Sequence, residues 1–169
     1  ALRSQTINQD TRIRCRKKYK RTRLVGACSH PRRPGPFDPA EALAYSCNYY
    51  FATVGERLNE DDLAQTLSEF GFGRTTGIND DQETAGVLAR GRWGFESGVG
   101  EGAFLQATPV QMALAYATFF NGGKLFRPSV AGARDFKPQL RAEIHVDDGA
   151  RSLLLEGMRG AVEFGTAKN

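Results

Sequence analysis

Two small sets of residues carry side chains that could do chemistry. The first is Ser46 and Asn48, two positions apart in Ala42-Leu43-Ala44-Tyr45-Ser46-Cys47-Asn48-Tyr49-Tyr50-Phe51. A hydroxyl donates and accepts, and a carboxamide holds a donor and an acceptor at once, but a Ser and an Asn two apart carry no signal by themselves. The second set is Cys15, Cys28 and Cys47 with the two histidines, His30 and His145. Cys28-Ser29-His30 with Cys15 upstream sketches a zinc site, but no C-x-x-C pair is present, and the expectation is no metal and no cofactor. A Cys15–Cys28 disulfide is the alternative in an oxidising compartment, and unpaired thiols are the default. The histidines are too few and too separated to nominate a base or a ligand. Gly98-Val99-Gly100-Glu101-Gly102 is not a dinucleotide loop, because no strand leads into it.

The elements that must position Ser46 and Asn48 raise a conflict. In an unbroken helix the two side chains lie about 200° apart and cannot serve one site. Yet Leu43, Cys47, Tyr50, Phe51, Val54 and Leu58 recur at helical spacing straight through the pair. A shared role requires the helix to break there, with Ser46 or Asn48 at a new helix start, where either residue type caps well. Otherwise the two are a mid-helix pair or a cap with no chemistry.

The rest of the chain reads as capped helices. Asp38-Pro39 with Glu41 predicts a helix start and a capping box. Asn59, followed by Glu60, Asp61 and Asp62, predicts a second start, with Leu63, Leu67 and Phe70 as its stripe and Gly71 as its end. Residues 71–107 are glycine-rich and aperiodic, and read as a long ordered connection of the kind that carries function. Thr108-Pro109-Val110-Gln111 opens a helix that is apolar on every side through Phe120, so a place in the middle of a core is expected. Leu140, Ala142, Ile144 and Val146 alternate with Arg141, Glu143 and His145, a short half-buried strand with His145 on its solvated face. Asp147 or Asp148 then caps a last helix with the stripe Leu154, Met158, Ala161 and Val162, stopped by Gly165.

The 169 residues carry a net charge of +4. Residues 1–33 hold eleven Lys and Arg against Asp10 alone, +10, which leaves −6 for the remainder. Like charge, together with Pro31, Pro34 and Pro36, predicts an irregular arm over residues 11–36 that is mobile or loosely packed. The division expected is a basic arm, 1–37, and a helical body, 38–169. No apolar run approaches the roughly 20 residues of a membrane span. The chain starts at Ala1 without an initiator Met and stops at Asn169 after a helical pattern, which suggests a piece of something longer.

Ser46-Cys47-Asn48, followed by Tyr49-Tyr50-Phe51, resembles the S-x-N segment of penicillin-binding (peptidoglycan transpeptidase) domains, whose other motifs are S-x-x-K and K-T-G. Further segments match in order: Phe37-Asp38-Pro39-Ala40-Glu41-Ala42-Leu43, Phe70-Gly71-Phe72-Gly73 with Thr76-Gly77-Ile78, Thr108-Pro109 with Gln111, Asn121-Gly122-Gly123 with Pro128, and Gly165-Thr166-Ala167. No serine is followed by lysine three residues later, and Lys-Thr-Gly is absent. Ala1-Leu2 is similar to the end of the nucleophile helix, which puts the missing S-x-x-K just upstream and K-T-G just downstream.

The resemblance implies a mainly α chain, the helical subdomain of an α/β transpeptidase fold, with one or two short strands. Helix faces without their sheet imply marginal stability. It implies acyl transfer from a D-Ala-D-Ala stem peptide through an activated serine outside this stretch. Ser46 takes the role of proton shuttle within the lysine–serine network, and Asn48 that of hydrogen bonding to the catalytic lysine and the substrate amide. Stem peptides and β-lactams are the implied partners, in a membrane-anchored protein at the outer face of the plasma membrane, with no nucleic acid. The rival reading is a binding module whose basic arm sits on anionic lipid or nucleic acid, a mode that weakens steeply with salt.

Overall fold

A computed structural model describes residues 1–20, 26–31, 35–79, 82–89, 91, 94–130 and 137–168. The chain folds as two compact units, one of residues 1–60, 92–102 and 147–169, the other of 61–91 and 103–146.

The first unit holds α1 (Pro39–Ala44), α2 (Asn48–Arg57), the four-residue α4 (Phe95–Gly98) and α6 (Asp148–Glu163). At the start of α1 the Glu41 amide donates to Asp38 Oδ1 at 2.8 Å, and the Asp38 amide donates to the Glu41 carboxylate at 3.3 Å. This is the capping box read from the sequence. Asp147 caps α6 by accepting from the Ala150 amide at 2.8 Å. The face of α6 that meets α1 is not the expected apolar stripe. Gly157 and Gly160 are its buried residues, whereas Val162 is 64% exposed. A Cβ on Gly157 would stand 2.8 Å from Leu43 Cβ, so the helices approach this closely only because that atom is missing. The α2–α4 contact is similar: a Cβ on Gly55 would stand 2.6 Å from the Gly94 carbonyl.

The core of this unit joins Ile7, Ile13, Cys28, Phe37, Ala42, Cys47, Tyr50 and Val54. Ile13 and Phe37 exchange backbone hydrogen bonds of 3.0 and 2.9 Å as an isolated antiparallel bridge. Residues 21–25 and 32–34 of the expected arm lie outside the described residues. The described part is irregular but not loosely packed: Ile13, Tyr19, Cys28 and His30 are all buried. Its apolar residues interrupt the basic run and pack under α1 and α2, which outweighs the repulsion of like charges held at the surface.

The second unit holds α3 (Glu60–Glu69, from its second residue on), β1 (Val87–Leu88), β2 (Leu105–Gln106), α5 (Pro109–Phe120), β3 (Lys124–Phe126) and β4 (Leu140–Glu143). The strands form two antiparallel pairs. Val87 faces Gln106 in one, and Lys124 faces Glu143 in the other, with an irregularity between Leu125 and Phe126. Gln111 closes the capping box of α5 with Thr108, and its Nε2 also donates to the Arg74 and Ala85 carbonyls at 2.8 and 2.9 Å. One buried side chain thus holds both ends of the glycine-rich connection. α5 itself departs from expectation. Its buried residues are Gln111 and Thr118, while Met112, Tyr116 and Phe120, one turn apart, are 39%, 50% and 52% exposed. The all-round apolar sequence does not place this helix in the middle of a core in the described chain.

Candidate active site

The break between α1 and α2 is present despite the continuous apolar stripe. The α1 helix ends at Ala44, Ser46 adopts φ 48°, and α2 begins at Asn48. The amides of Ser46 and Cys47 donate to the Leu43 and Ala42 carbonyls at 3.1 and 2.9 Å, closing a tight turn in place of a further helical one. The N-cap of α2 is Cys47, with no side-chain capping bond, so neither Ser46 nor Asn48 takes the capping position expected of one of them. Ser46 is exposed and Asn48 is half-buried, while Cys47 between them is fully buried. Asn48 Nδ2 donates to the Gly26 carbonyl at 3.1 Å, which fixes the carboxamide at the first turn of α2.

Tyr50, fully buried, supports the turn from beneath. Its hydroxyl donates to the Thr11 carbonyl at 3.3 Å. Burial first, and then the Asp38 charge, push its hydroxyl up to about 12. Tyr45 at the α1 C-cap packs on Phe37 and Phe164 at ring separations of 5.8 and 5.7 Å. A groove of about 460 Å³ between α1 and α6 is lined by Glu41, Glu156, Arg159 and Phe164 among others, and includes neither Ser46 nor Asn48.

Cys47 also joins Cys15, Cys28 and His30, the three residues that sketched a metal site in the sequence and from which no metal was expected. The donor atoms of Cys15, Cys28, His30 and Cys47 all lie within 4.8 Å of one another. Cys28 Sγ is 3.6 Å from Cys15 Sγ and 3.8 Å from Cys47 Sγ, and the three thiols are free. The hydrogen bond with Cys47 draws the Cys28 thiol down to about 5 against the opposing effect of burial, and the same contact, with burial, pushes Cys47 up. His30, set aside on sequence grounds, is thus the histidine beside three cysteines, whereas His145 is exposed. The Cys28-x-His30 pair was the available signal. The separation of thirty-two positions between Cys15 and Cys47 concealed the rest.

Comparison with known proteins assigns the chain as a whole to a family. The family model described as the penicillin-binding protein transpeptidase domain matches residues 1–169, the whole chain. The chain belongs to the penicillin-binding protein transpeptidase domain family. Stage V sporulation protein D of Bacillus subtilis is 35% identical over 100 residues, covering 54% of this chain and 15% of that relative. Peptidoglycan D,D-transpeptidase MrdA of Acinetobacter baumannii is 27% identical over 149 residues, covering 76% of this chain and 22% of the relative. A crystal structure of Pseudomonas aeruginosa PBP2 superimposes with a TM-score of 0.75 at 24% identity, covering 95% of this chain and 41% of that one. The chain therefore spans about a fifth or less of the length of these two curated relatives. As a transpeptidase-domain segment it is mainly helical with sparse short strands, the fold class expected from its sequence.

Proposed function

We propose that the chain is the S-x-N-bearing part of a serine-type peptidoglycan D,D-transpeptidase, in which Ser46 and Asn48 assist a serine supplied from outside these residues. The observation that carries this reading is the break at Ser46. A non-glycine residue in the left-handed region is uncommon, and strain of this kind concentrates where a site needs it. In the proposed reaction the outside serine, activated by its lysine, attacks the D-Ala-D-Ala carbonyl of a stem peptide and expels the terminal D-Ala. An amine of a second strand then takes the acyl group. Ser46 relays a proton within the lysine–serine network. Asn48 accepts from the catalytic lysine through Oδ1 and donates to the substrate amide carbonyl through Nδ2. β-Lactams enter by the same acylation. In this reading the reaction takes place at the outer face of the plasma membrane. The apolar ridge of Met112, Tyr116 and Phe120 is covered, in this reading, by other parts of the full domain.

The test uses a protein that carries these residues together with S-x-x-K and K-T-G. Ser46→Ala and Asn48→Ala each slow β-lactam acylation by about 100-fold or more, the scale of lost proton-transfer help, with little change in melting temperature. A loss of about 1 kcal/mol of stability with unchanged acylation is what a merely capping pair would give, and defeats the proposal.

A further inference from the structure

We propose that Tyr19 and the Gly26 carbonyl are positioning groups for Asn48, so that the basic N-terminal stretch sets the orientation of the site's carboxamide. This rests on the reading above, in which Asn48 meets the lysine through Oδ1 and the substrate through Nδ2. A carboxamide has two orientations about its last torsion, and they exchange a donor for an acceptor. Only one of them serves that role. Asn48 Nδ2 donates to the Gly26 carbonyl at 3.1 Å. A backbone carbonyl only accepts, so it selects Nδ2 and turns Oδ1 away. One Nδ2 hydrogen is used there, and the second, with both lone pairs of Oδ1, remains for the reaction.

Gly26 is exposed and belongs to no helix or strand, so its carbonyl must be held by other contacts. The Cys28 amide donates to the Lys17 carbonyl at 2.8 Å, which ties residues 26–28 to residues 17–20. Tyr19 then anchors both to α2. It is buried, and its hydroxyl donates to the Glu56 carboxylate at 2.5 Å, the length of a charge-assisted O–H···O bond. Its ring meets Tyr49 edge-on at 5.6 Å and Phe95 at 5.8 Å, with the buried Ala52 in the same cluster. Tyr49, Ala52 and Glu56 recur at helical spacing along one face of α2. The tyrosine and the carbonyl therefore grip the same helix, the one at Tyr49 and the other at its neighbour Asn48.

A tyrosine that merely filled the core would need neither feature. The Tyr19–Ala52 cluster is separate from the main core of this unit, which joins Ile7, Ile13, Phe37 and Tyr50 among others. Tyr19 also stands among Arg16, Lys17, Lys18 and Lys20, whose like charges favour an expanded chain. Its bond to Glu56 opposes that expansion at the point where the stretch meets α2. Lys17 adds φ 67°, uncommon for a residue with a Cβ. Position here is enforced rather than free.

The experiment has two arms. In the 169-residue chain labelled with ¹⁵N-asparagine, the Asn48 side-chain amide is followed by NMR and identified by its loss in Asn48→Ala. One of its protons should resonate downfield, held by Gly26. Tyr19→Phe keeps the ring and removes the bond to Glu56, and it should move that resonance and speed its exchange with water. In a protein that also carries S-x-x-K and K-T-G, Tyr19→Phe should lower the rate constant of β-lactam acylation at least about 3-fold, the scale of one modest hydrogen bond. Tyr19→Ala should lower it about 10-fold or more through the misplaced carboxamide. The final amount of acylated protein should stay the same. Neither substitution should slow Asn48→Ala further, because the effect passes through Asn48. An unmoved Asn48 resonance in Tyr19→Phe, full additivity with Asn48→Ala, or a smaller labelled fraction reacting at the unaltered rate overturns the proposal, since a merely structural tyrosine gives these results. Acylation of Asn48→Ala at the unaltered rate defeats the underlying reading instead, and this role with it. Where Tyr19→Ala does not fold, Tyr19→Phe decides alone.

Discussion

Ser46 is held at φ 48° between two helices, a conformation that costs a residue with a Cβ about 1–2 kcal/mol. Stability and chemistry can therefore be separated at this position. Ser46→Gly should raise unfolding stability by about 1 kcal/mol in urea titration, by relieving that cost. In a protein carrying all three motifs the same change should still slow β-lactam acylation, because the hydroxyl is gone. The residue types of Ser46 and Asn48 were legible in the sequence, but their turn was not. A tight turn replaces a helical one without disturbing the spacing of Leu43, Cys47, Tyr50 and Val54, so periodicity alone cannot reveal it. Glu83 offers a test by pH. Burial opposes its charge, but donation from the Thr76 hydroxyl and from the Thr76 and Gly77 amides outweighs this and holds its carboxyl below the usual range. A depressed folded value stabilises above the ordinary glutamate range and is lost as pH falls through the lowered value. Acid titration of stability should show that loss below about pH 4.3 in the unaltered chain, and Glu83→Gln should reduce it.

At the scale of elements, the helix starts were the most legible features. Asp38–Glu41, Thr108–Gln111 and Asp147 act through bonds within a few residues, so local sequence contains the whole device. Packing faces were less legible. The α6 stripe pointed to Leu154, Met158 and Val162, yet the helix meets α1 through Gly157 and Gly160, because close approach selects the smallest residues rather than the most apolar. Gly157→Leu should destabilise the chain by about 1–3 kcal/mol through overpacking against Leu43 and Ala40, read from its urea midpoint. Gln111→Ala removes two part-buried hydrogen bonds, to the Arg74 and Ala85 carbonyls, each worth about 0.5–1.5 kcal/mol, and should cost about 1–3 kcal/mol in all. Its loss should also speed amide exchange in the described part of residues 74–86, while α1 and α2 keep their protection. The exposed ridge on α5 marks where apolar sequence overstates burial: hydrophobicity records the surroundings a helix is built for, and these 169 residues are a fraction of the length of their relatives.

The whole molecule is a transpeptidase-domain segment that carries S-x-N and neither S-x-x-K nor K-T-G. The ordered set of weak motifs made the family legible, since each segment alone is common and their succession is not. The Cys15–Cys28–His30–Cys47 cluster was only half legible, because a four-residue site assembled over thirty-two positions depends on the fold. The central claim is that Ser46 assists a nucleophile and is not one. It is tested most directly by treating this chain, and a protein carrying all three motifs, with a fluorescent penicillin and mapping the adduct by peptide mass spectrometry. The account predicts no adduct on this chain, and in the larger protein a single adduct on the serine of S-x-x-K. A penicilloyl mass shift on Ser46 would contradict it.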